Sequence, residues 1–330
     1  MKVLVTGGTG FLGWALTKRL LELGHEVTSM GRNKKLGKYI SDRGVFFLEG
    51  NLEDRAYVRK CCKGQDVVFH CGAKSSPWGS YESFYKANVK GTEHVIEGCR
   101  EHGVKRLVHV SSPSICFRYD ERKHVREEDR LPLKKANDYA ETKAIAESKI
   151  EEAYRNGLPV ITIRPRAIFG PGDTTILPRL IRLNESRFIP LVRKGRAELD
   201  LTYIDNVVDA LILCMNADES LCGNVYHITN GERVVLKEVL QELFLKLGTP
   251  FRKKNVPYQF LYLAGWMCEK GYTKKEPPLT RYTVSVLGNT QTLSIEKAKR
   301  ELGYEPRVSV REGVDRFVEW WKEKEQGSPY

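Results

Sequence analysis

No CxxC pair occurs among the eight cysteines of this 330-residue chain, and several of them sit in apolar runs such as "DVVFHCGA". A disulfide framework and a cysteine-held zinc are both disfavoured, and free thiols in a reducing, cytoplasmic setting fit better. Long apolar runs are missing too. The most apolar late stretch, Phe260 to Cys268 ("FLYLAGWMC"), is far too short to span a bilayer, and a strand begins within two residues of Met1, leaving no room for a charged and then apolar leader. The seven histidines are scattered, with no HExxH or Cys/His cluster, so no metal is expected. No fixed-period repeat or low-complexity tract is present. Acid is in deficit: 54 Lys+Arg against 42 Asp+Glu leaves a net charge of +12, which suits an anionic cofactor, substrate or membrane surface. Nucleic acid is not expected, because the basic residues are dispersed and carry no binding motif.

What is present alternates between two periods. "KVLVTG", "HEVTSMG", "GVFFLEG", "DVVFHCGA", "KRLVHVSS" and "LPVITIRP" are short β-branched or apolar runs, separated by helix-like segments such as "FLGWALTKRLLELG". This rhythm predicts an α/β fold, a Rossmann-type doubly wound parallel sheet. After Pro165 it breaks. A turn ("GPGD"), a basic helix and loop (176–196) and two sheet-like elements follow, before helices rich in Tyr and Trp. The expected division is a nucleotide-binding domain over 1–168 and 201–230, with a smaller, mostly helical substrate lobe over 169–200 and 231–330. Ser309 with Glu312 reads as a capping box, and Val314, Phe317 and Trp321 recur at helical spacing as core.

"VLVTGGTGFLG" places Gly7, Gly10 and Gly13 between the first strand and the first helix. Glycine there lets the backbone turn tightly and approach a pyrophosphate, and the helix start offers free N–H groups and positive potential. At the end of the second strand, where an acid would receive the ribose 2′-hydroxyl of NAD, the chain reads Gly31-Arg32, followed by Lys34 and Lys35. A guanidinium suits the 2′-phosphate of NADP, so NADP is expected and NAD less so.

Two tyrosine–lysine pairs have i, i+4 spacing. Tyr119 and Lys123 lie in "FRYDERKHVREED", which is charged nearly throughout, lacks an apolar stripe and reads as a surface loop. Tyr139 and Lys143 open a helix running to Arg155, with Asn137 or Asp138 as N-cap and Gly157 at its end. A phenol titrates near pH 10, and a fixed ammonium one turn away draws it toward general acid/base range. Upstream, "RLVHV" delivers Ser111 and Ser112 at the carboxyl end of a strand, where open parallel sheets bind ligands.

These residues resemble the extended short-chain dehydrogenase/reductase family, whose pattern is carried nearly throughout by "TGGTGFLG", "GNLED", "FHCGA", "ANVKGT", "VSSPSI", "YAETK", "IRPRAIFGPGD", "TYIDNVVDA" and "YHITNGE". Within it, "KSSPWGSYESF", "GPGDTTILPRLI", "EPPLTRY" and "KAKRELGYEPRVS" look most like the 3β-hydroxysteroid dehydrogenase-like branch, which includes bacterial 2-alkyl-3-oxoalkanoate reductases. The resemblance implies a Ser112, Tyr139 and Lys143 triad supported by Asn88. It implies cofactor contacts from Gly7, Thr9, Gly10, Phe11, Leu12 and Gly13 in the phosphate loop, and from Arg32, Asn51, Leu52, Cys71, Gly72 and Ala73 beyond the next strands. Tyr139, Lys143, Pro165 and Ile168 complete the cofactor set, and Ser75, Trp78, Ser114 and Arg166 are the implied substrate residues. Asn51 stands where the family usually has aspartate.

Against a nucleotide-sugar epimerase, Ala167 replaces the asparagine of the "RPxN" segment, and Glu198 replaces an arginine for the sugar-nucleotide phosphates. The reading is therefore an NADP(H)-dependent oxidoreductase that reduces a hydrophobic ketone, 3-oxoacyl or steroid-like, to a secondary alcohol, or runs in reverse. A nucleotide-sugar epimerase/dehydratase or a flavonol-type ketone reductase is the alternative within the family, and a non-catalytic NADP(H) sensor the alternative outside it. A homodimer is compatible with this reading. The lobe aromatics (Tyr258, Phe260, Tyr262, Trp266, Tyr272, Tyr282) read as core, with peripheral membrane contact beside Lys253, Lys254, Lys274 and Lys275 as the other assignment.

Overall fold

Seven of the apolar runs pair side by side in parallel, because βαβ connections return each strand to the same edge. These are β1 (Lys2–Thr6), β2 (Glu26–Gly31), β3 (Phe46–Glu49), β4 (Val67–His70), β5 (Arg106–Val110), β6 (Val160–Pro165) and β7 (Val225–Ile228), in the order β7-β6-β5-β4-β1-β2-β3. The computed structural model describes residues 1–76, 78–272 and 276–325. Leu4, Met30, Val68, Leu107 and Val160 point to one face of the sheet and Val3, Val5, Phe69, Val108 and Ile161 to the other, and both sets are buried. Burial on both faces is why these strands read as unbroken apolar runs rather than as alternating ones. Helix α1 (Phe11–Glu22) covers one face through Leu16 and Leu20. Helices α2 (Gly91–Glu101) and α3 (Asp138–Arg155) cover the other, through Val95, Cys99 and Ile150. The chain runs outward from β1 to β3 and then returns to β4 on the opposite side of β1. That reversal opens a crevice at the carboxyl ends of the strands.

A second sheet of four short strands joins Arg233–Val235, Glu198–Asp200, Gln291–Leu293 and Arg122–Val125. The last of these corrects the reading of residues 117–129 as a surface loop. Its side chains face mainly solvent and are charged, while its backbone pairs with Gln291–Leu293; charge pattern reports the first fact and not the second. Ile189–Val192, expected as loop, pairs in parallel with Lys253–Val256, a partner more than sixty residues away, and buries Ile189 and Leu191. Helices α4 (Tyr258–Gly271) and α5 (Arg281–Gly288) pack together, and α6 (Val310–Glu325) docks Val314 and Phe317 into the lobe core with Trp321 partly buried. Ser309 caps α6 by accepting the Glu312 N–H at 3.1 Å. The Glu312 carboxylate pairs with Arg316 at 2.6 Å. All eight cysteines are free thiols.

Candidate functional site

The phosphate loop owes its shape to missing side chains. Gly7 has φ +70, and a Cβ there would stand 2.6 Å from the Gly72 Cα; a Cβ at Gly13 would run into the Gly7 carbonyl. The Gly10 N–H donates to the Gly7 carbonyl at 2.8 Å, and no side chain caps the first turn of α1. Phe11, Leu12 and Gly13 thus begin the helix with amides directed into the crevice. Thr9 lies against Gly31, where any larger residue would strike it. Arg32 follows, exposed, and among the described residues it makes no ion pair. Asn33 caps the helix Lys34–Ser41 by accepting the Leu36 N–H at 3.1 Å, and Lys34 is paired with Glu49 at 3.2 Å. Glu49, at the end of β3, is therefore a direct neighbour of this basic run. The cradle fits a dinucleotide, and Arg32 and Lys35 are the cations of this run that make no ion pair among the described residues.

Farther along the crevice the exposed Asn51 turns its side chain to its own loop, accepting the Glu53 N–H at 3.3 Å. Leu52 fills the space left by Gly72 and Gly91. The Cys71 thiol is pushed up to about 12 by burial and stays protonated, Ala73 is half-buried behind it, and the Gly72 N–H donates to Thr6 at 3.3 Å.

Helix α3 is capped by Asn137, whose Oδ1 accepts the Ala140 N–H at 2.9 Å, so Asn137 rather than Asp138 sets the start. That start places Tyr139 half-buried beside Phe84, with ring centroids 6.2 Å apart, and Lys143 one turn on at 2 % exposure. The Lys143 ammonium donates to the Val110 carbonyl at 2.9 Å, at the end of β5. Burial lowers its pKa to about 8, opposed by Glu147 and Cys71. Ser112 follows Val110 by two residues, and its Oγ accepts the Ser114 N–H at 3.2 Å. The hydroxyls of Ser111 and Ser114 are buried without a protein partner.

Asn88, 1 % exposed in a π-helical turn at Tyr85–Lys90, ties the neighbouring segments together. Its Oδ1 accepts the Lys74 N–H at 2.7 Å, and its Nδ2 donates to the Lys74 carbonyl and to Thr142 Oγ1, both at 3.2 Å. Thr142 precedes Lys143 on α3. The carboxyl end of β4, the π-turn and the start of α3 are therefore one hydrogen-bonded unit.

Of the four expected substrate residues, Ser75 is exposed and Trp78 half-buried, its backbone tied to Ser76. Arg166 borders a small cavity with Pro113, Cys116 and Phe117, and Ser114 is buried in the turn Pro113–Cys116. Pro165 closes β6 against Ile228, and Ile168 pairs with Thr202. Tyr119 and Lys123 are engaged otherwise, although the Tyr119 hydroxyl reaches the Ala136 carbonyl at 3.4 Å, just before α3. Tyr119 packs on Phe117 and Tyr262, and Lys123 pairs with Glu198 at 3.1 Å.

Sequence reasoning missed the buried ion pair beneath the site. Glu147, one turn beyond Lys143, receives the Arg164 guanidinium of β6 through two hydrogen bonds, with both side chains at 12 % exposure or less. The signal was present, since Tyr139, Lys143 and Glu147 repeat at four-residue intervals on one helical face.

Residues 3–229 match the model of the NAD dependent epimerase/dehydratase family. The chain is 38% identical over 326 residues to the 2-alkyl-3-oxoalkanoate reductase of Stenotrophomonas maltophilia (strain K279a), covering 96% of this chain and 98% of that protein. It is 32% identical over 332 residues to the decarboxylating sterol-4-alpha-carboxylate 3-dehydrogenase of Mus musculus, covering 96% and 90%. Among solved structures it superposes on the UDP-glucuronic acid 4-epimerase of Bacillus cereus in complex with NAD, with a TM-score of 0.80 at 21% identity, over 99% and 98% of the two chains. At that identity the likeness speaks for the fold alone.

Proposed function

The chain belongs to the NAD dependent epimerase/dehydratase family, and from that premise we propose that it is an NADP(H)-dependent reductase of a bulky, largely apolar 3-oxo acid or steroid-like ketone. An NAD(P)-dependent enzyme acting on the CH–OH group of a small molecule is the coarser statement, and its relatives share it. The observation that supports proton transfer is the sealed ammonium of Lys143, held on the Val110 carbonyl one turn from Tyr139, while the finer choice of cofactor and substrate is supported by the exposed Arg32 and by Ala167 and Glu198 in place of sugar-nucleotide contacts.

The cofactor, when bound, supplies or accepts the hydride. The amides around Gly7, Gly10 and Gly13 would hold its pyrophosphate, Arg32 its 2′-phosphate and Lys143 the nicotinamide ribose. In this reading Tyr139 gives its hydroxyl proton to the developing alkoxide and Ser112 hydrogen-bonds the same oxygen. Lys143, dry and positively charged, favours the phenolate that results. Asn88 acts by position, fixing Thr142 and hence the register of α3 against the end of β4. Arg166 offers a guanidinium to a carboxylate placed beside the ketone, as in an oxoalkanoate, and Tyr282 lies close to both it and Tyr139. A sugar nucleotide finds less: Ala167 has no amide, and Glu198 with Lys123 forms a neutral couple.

Loss of NADPH absorbance is measured with 2-alkyl-3-oxoalkanoates, steroid ketones and UDP-hexoses. Turnover of an apolar ketone is expected; reaction with UDP-glucose or UDP-galactose and with no apolar ketone would overturn the reading.

A further inference from the structure

Helix α4 presents two apolar faces, and only one is used by the fold. On the inner face Tyr258 stacks on Tyr262 with centroids 5.6 Å apart, Tyr262 meets the edge of Tyr119 at 6.3 Å, and the Tyr258 hydroxyl bonds Ser285 at 2.9 Å. Gly265 lets α4 approach the start of α5, since a Cβ there would stand 2.9 Å from the Arg281 nitrogen. On the outer face Phe260, Leu263, Trp266 and Met267 are 67%, 54%, 44% and 55% exposed. Their spacing lines them along one side of the helix. Tyr272 extends the stripe beyond the helix end. The expectation that these aromatics form core thus fails for the exposed Phe260, Trp266 and Tyr272, while Tyr258, Tyr262 and Tyr282 are packed against neighbouring rings but only partly buried. Periodicity marks an apolar face but cannot say whether anything covers it.

The surroundings specify the cover. Arg252, Lys253 and Lys254 are exposed in the segment that leads into α4, and Lys270 is exposed in its last turn. The acid among residues 251–272, Glu269, is bound to Arg281 at 2.7 Å and is 15% exposed. Lys254 reaches over the exposed ring of Phe188, 5.6 Å from its centroid, and carries the basic rim to the neighbouring strand. A second copy of the chain would bring the same cationic rim against this one, and like charge disfavours that contact. An apolar stripe with aromatic residues and a lysine and arginine rim is instead complementary to acyl chains beneath anionic headgroups. We propose that α4 is an interfacial anchor that lies in the surface of an anionic lipid bilayer, with Phe260, Leu263, Trp266 and Met267 immersed and Lys253, Lys254 and Lys270 among the headgroups. The anchor binds from one side: no helix among the described residues is long and apolar enough to cross a membrane. Lys274 and Lys275 lie outside the described residues, and nothing here rests on them.

The test is vesicle flotation of the full chain, which reads binding without any turnover and so stands apart from the reductase reading. Vesicles of phosphatidylcholine alone are compared with vesicles that also contain phosphatidylglycerol. The chain should float with the anionic vesicles and be released by salt. The combined change Phe260→Ser, Leu263→Ser, Trp266→Ser should weaken binding at least ~10-fold, and each of Lys253→Glu, Lys254→Glu and Lys270→Glu by ~5-fold or more. Leu245→Ser, at a residue 80% exposed on another helix, should change nothing. Circular dichroism confirms that each variant is folded, and the single lysine variants keep the test alive if the triple serine variant is not. Failure of the wild-type chain to float with anionic vesicles overturns the proposal. So does unchanged flotation of the folded triple variant, which would leave charge alone in play, or a dimer that the triple variant dissolves without any vesicle binding.

Discussion

At the scale of single residues the distinction that matters is between two phenols with the same spacing to a lysine. Tyr139 stands at the start of α3 one turn from a buried ammonium, whereas Tyr119 is packed among Phe117 and Tyr262 and its lysine is spent on Glu198. Tyr139→Phe keeps the ring and removes the proton, so turnover should fall at least ~100-fold while cofactor titration stays close to wild type. Tyr119→Phe should leave turnover nearly intact, and equal losses in the two variants would mean that the wrong pair has been chosen. In the proposed mechanism Lys143 sets the pH range. Its ammonium is complete below about 8 and is lost as pH rises through that value, so turnover should decline on the alkaline side near there. Glu147 opposes that lowering, and Glu147→Gln should move the alkaline limb to lower pH. The substitution also leaves Arg164 buried without its carboxylate, a change that costs roughly 3–5 kcal/mol. The limb is therefore compared at a temperature where both proteins are folded, and a limb that stays in place would show Glu147 to be structural only.

At the scale of elements the proposed cofactor choice rests on the end of β2. Gly31 has no room for a side chain against Thr9, which pushes the deciding residue out to Arg32. A charge-assisted contact contributes roughly 1.5–3 kcal/mol, or about a 10- to 150-fold preference in affinity. Arg32→Asp should repel the 2′-phosphate and offer NAD a carboxylate, reversing the ratio of the two dissociation constants measured by calorimetry. A wild-type preference for NAD, or an unchanged ratio in the variant, would reduce Arg32 to a solvated strand end. Elements whose cause is local were legible from sequence: the glycine loop, the parallel runs, and the helix carrying Tyr139 and Lys143. Elements whose cause is distant were not. Arg122–Val125 is a strand because of a partner 169 residues away in register (Gln291 with Arg122), and Glu147 is buried because Arg164 arrives from β6. The outer face of α4 carries the same apolar signal as a core helix and differs in having no partner.

At the scale of the whole molecule three buried histidines set the response to acid. Burial lowers His70 and His227 to about 3 and His109 well below its ordinary value. All three are neutral in the folded chain while the unfolded chain protonates them below about 6.5. Stability from this source is complete above that value and is lost as pH falls toward about 3. Asp200 has the opposite sign. Raised to about 6 by burial, it holds a proton in the folded state that the unfolded chain releases above about 3.9, so between those values it offsets one of the three histidines. The net expectation is a melting temperature that declines on acidification below about pH 6.5. His109 is the informative probe, because neither ring nitrogen has a hydrogen-bond partner. His109→Leu removes the buried polar ring without breaking a bond, so it should melt higher at pH 7, by about 1–3 kcal/mol of stability, and lose less on acidification. An equally steep acid decline in His109→Leu would assign the effect to other groups.

The four-stranded sheet beside the site has an implication for how the chain is made. Its strands come from residues 122–125, 198–200, 233–235 and 291–293, so synthesis must pass residue 293 before the first of them gains its neighbour. Until then the Arg122–Val125 backbone is an open edge, its N–H and C=O groups kept from other chains by the charged side chains that line it. The nucleotide-binding sheet can form as its strands leave the ribosome, whereas closing the lobe waits on contacts of long sequence separation, which are slow to form. The site that spans both is completed at the end of folding.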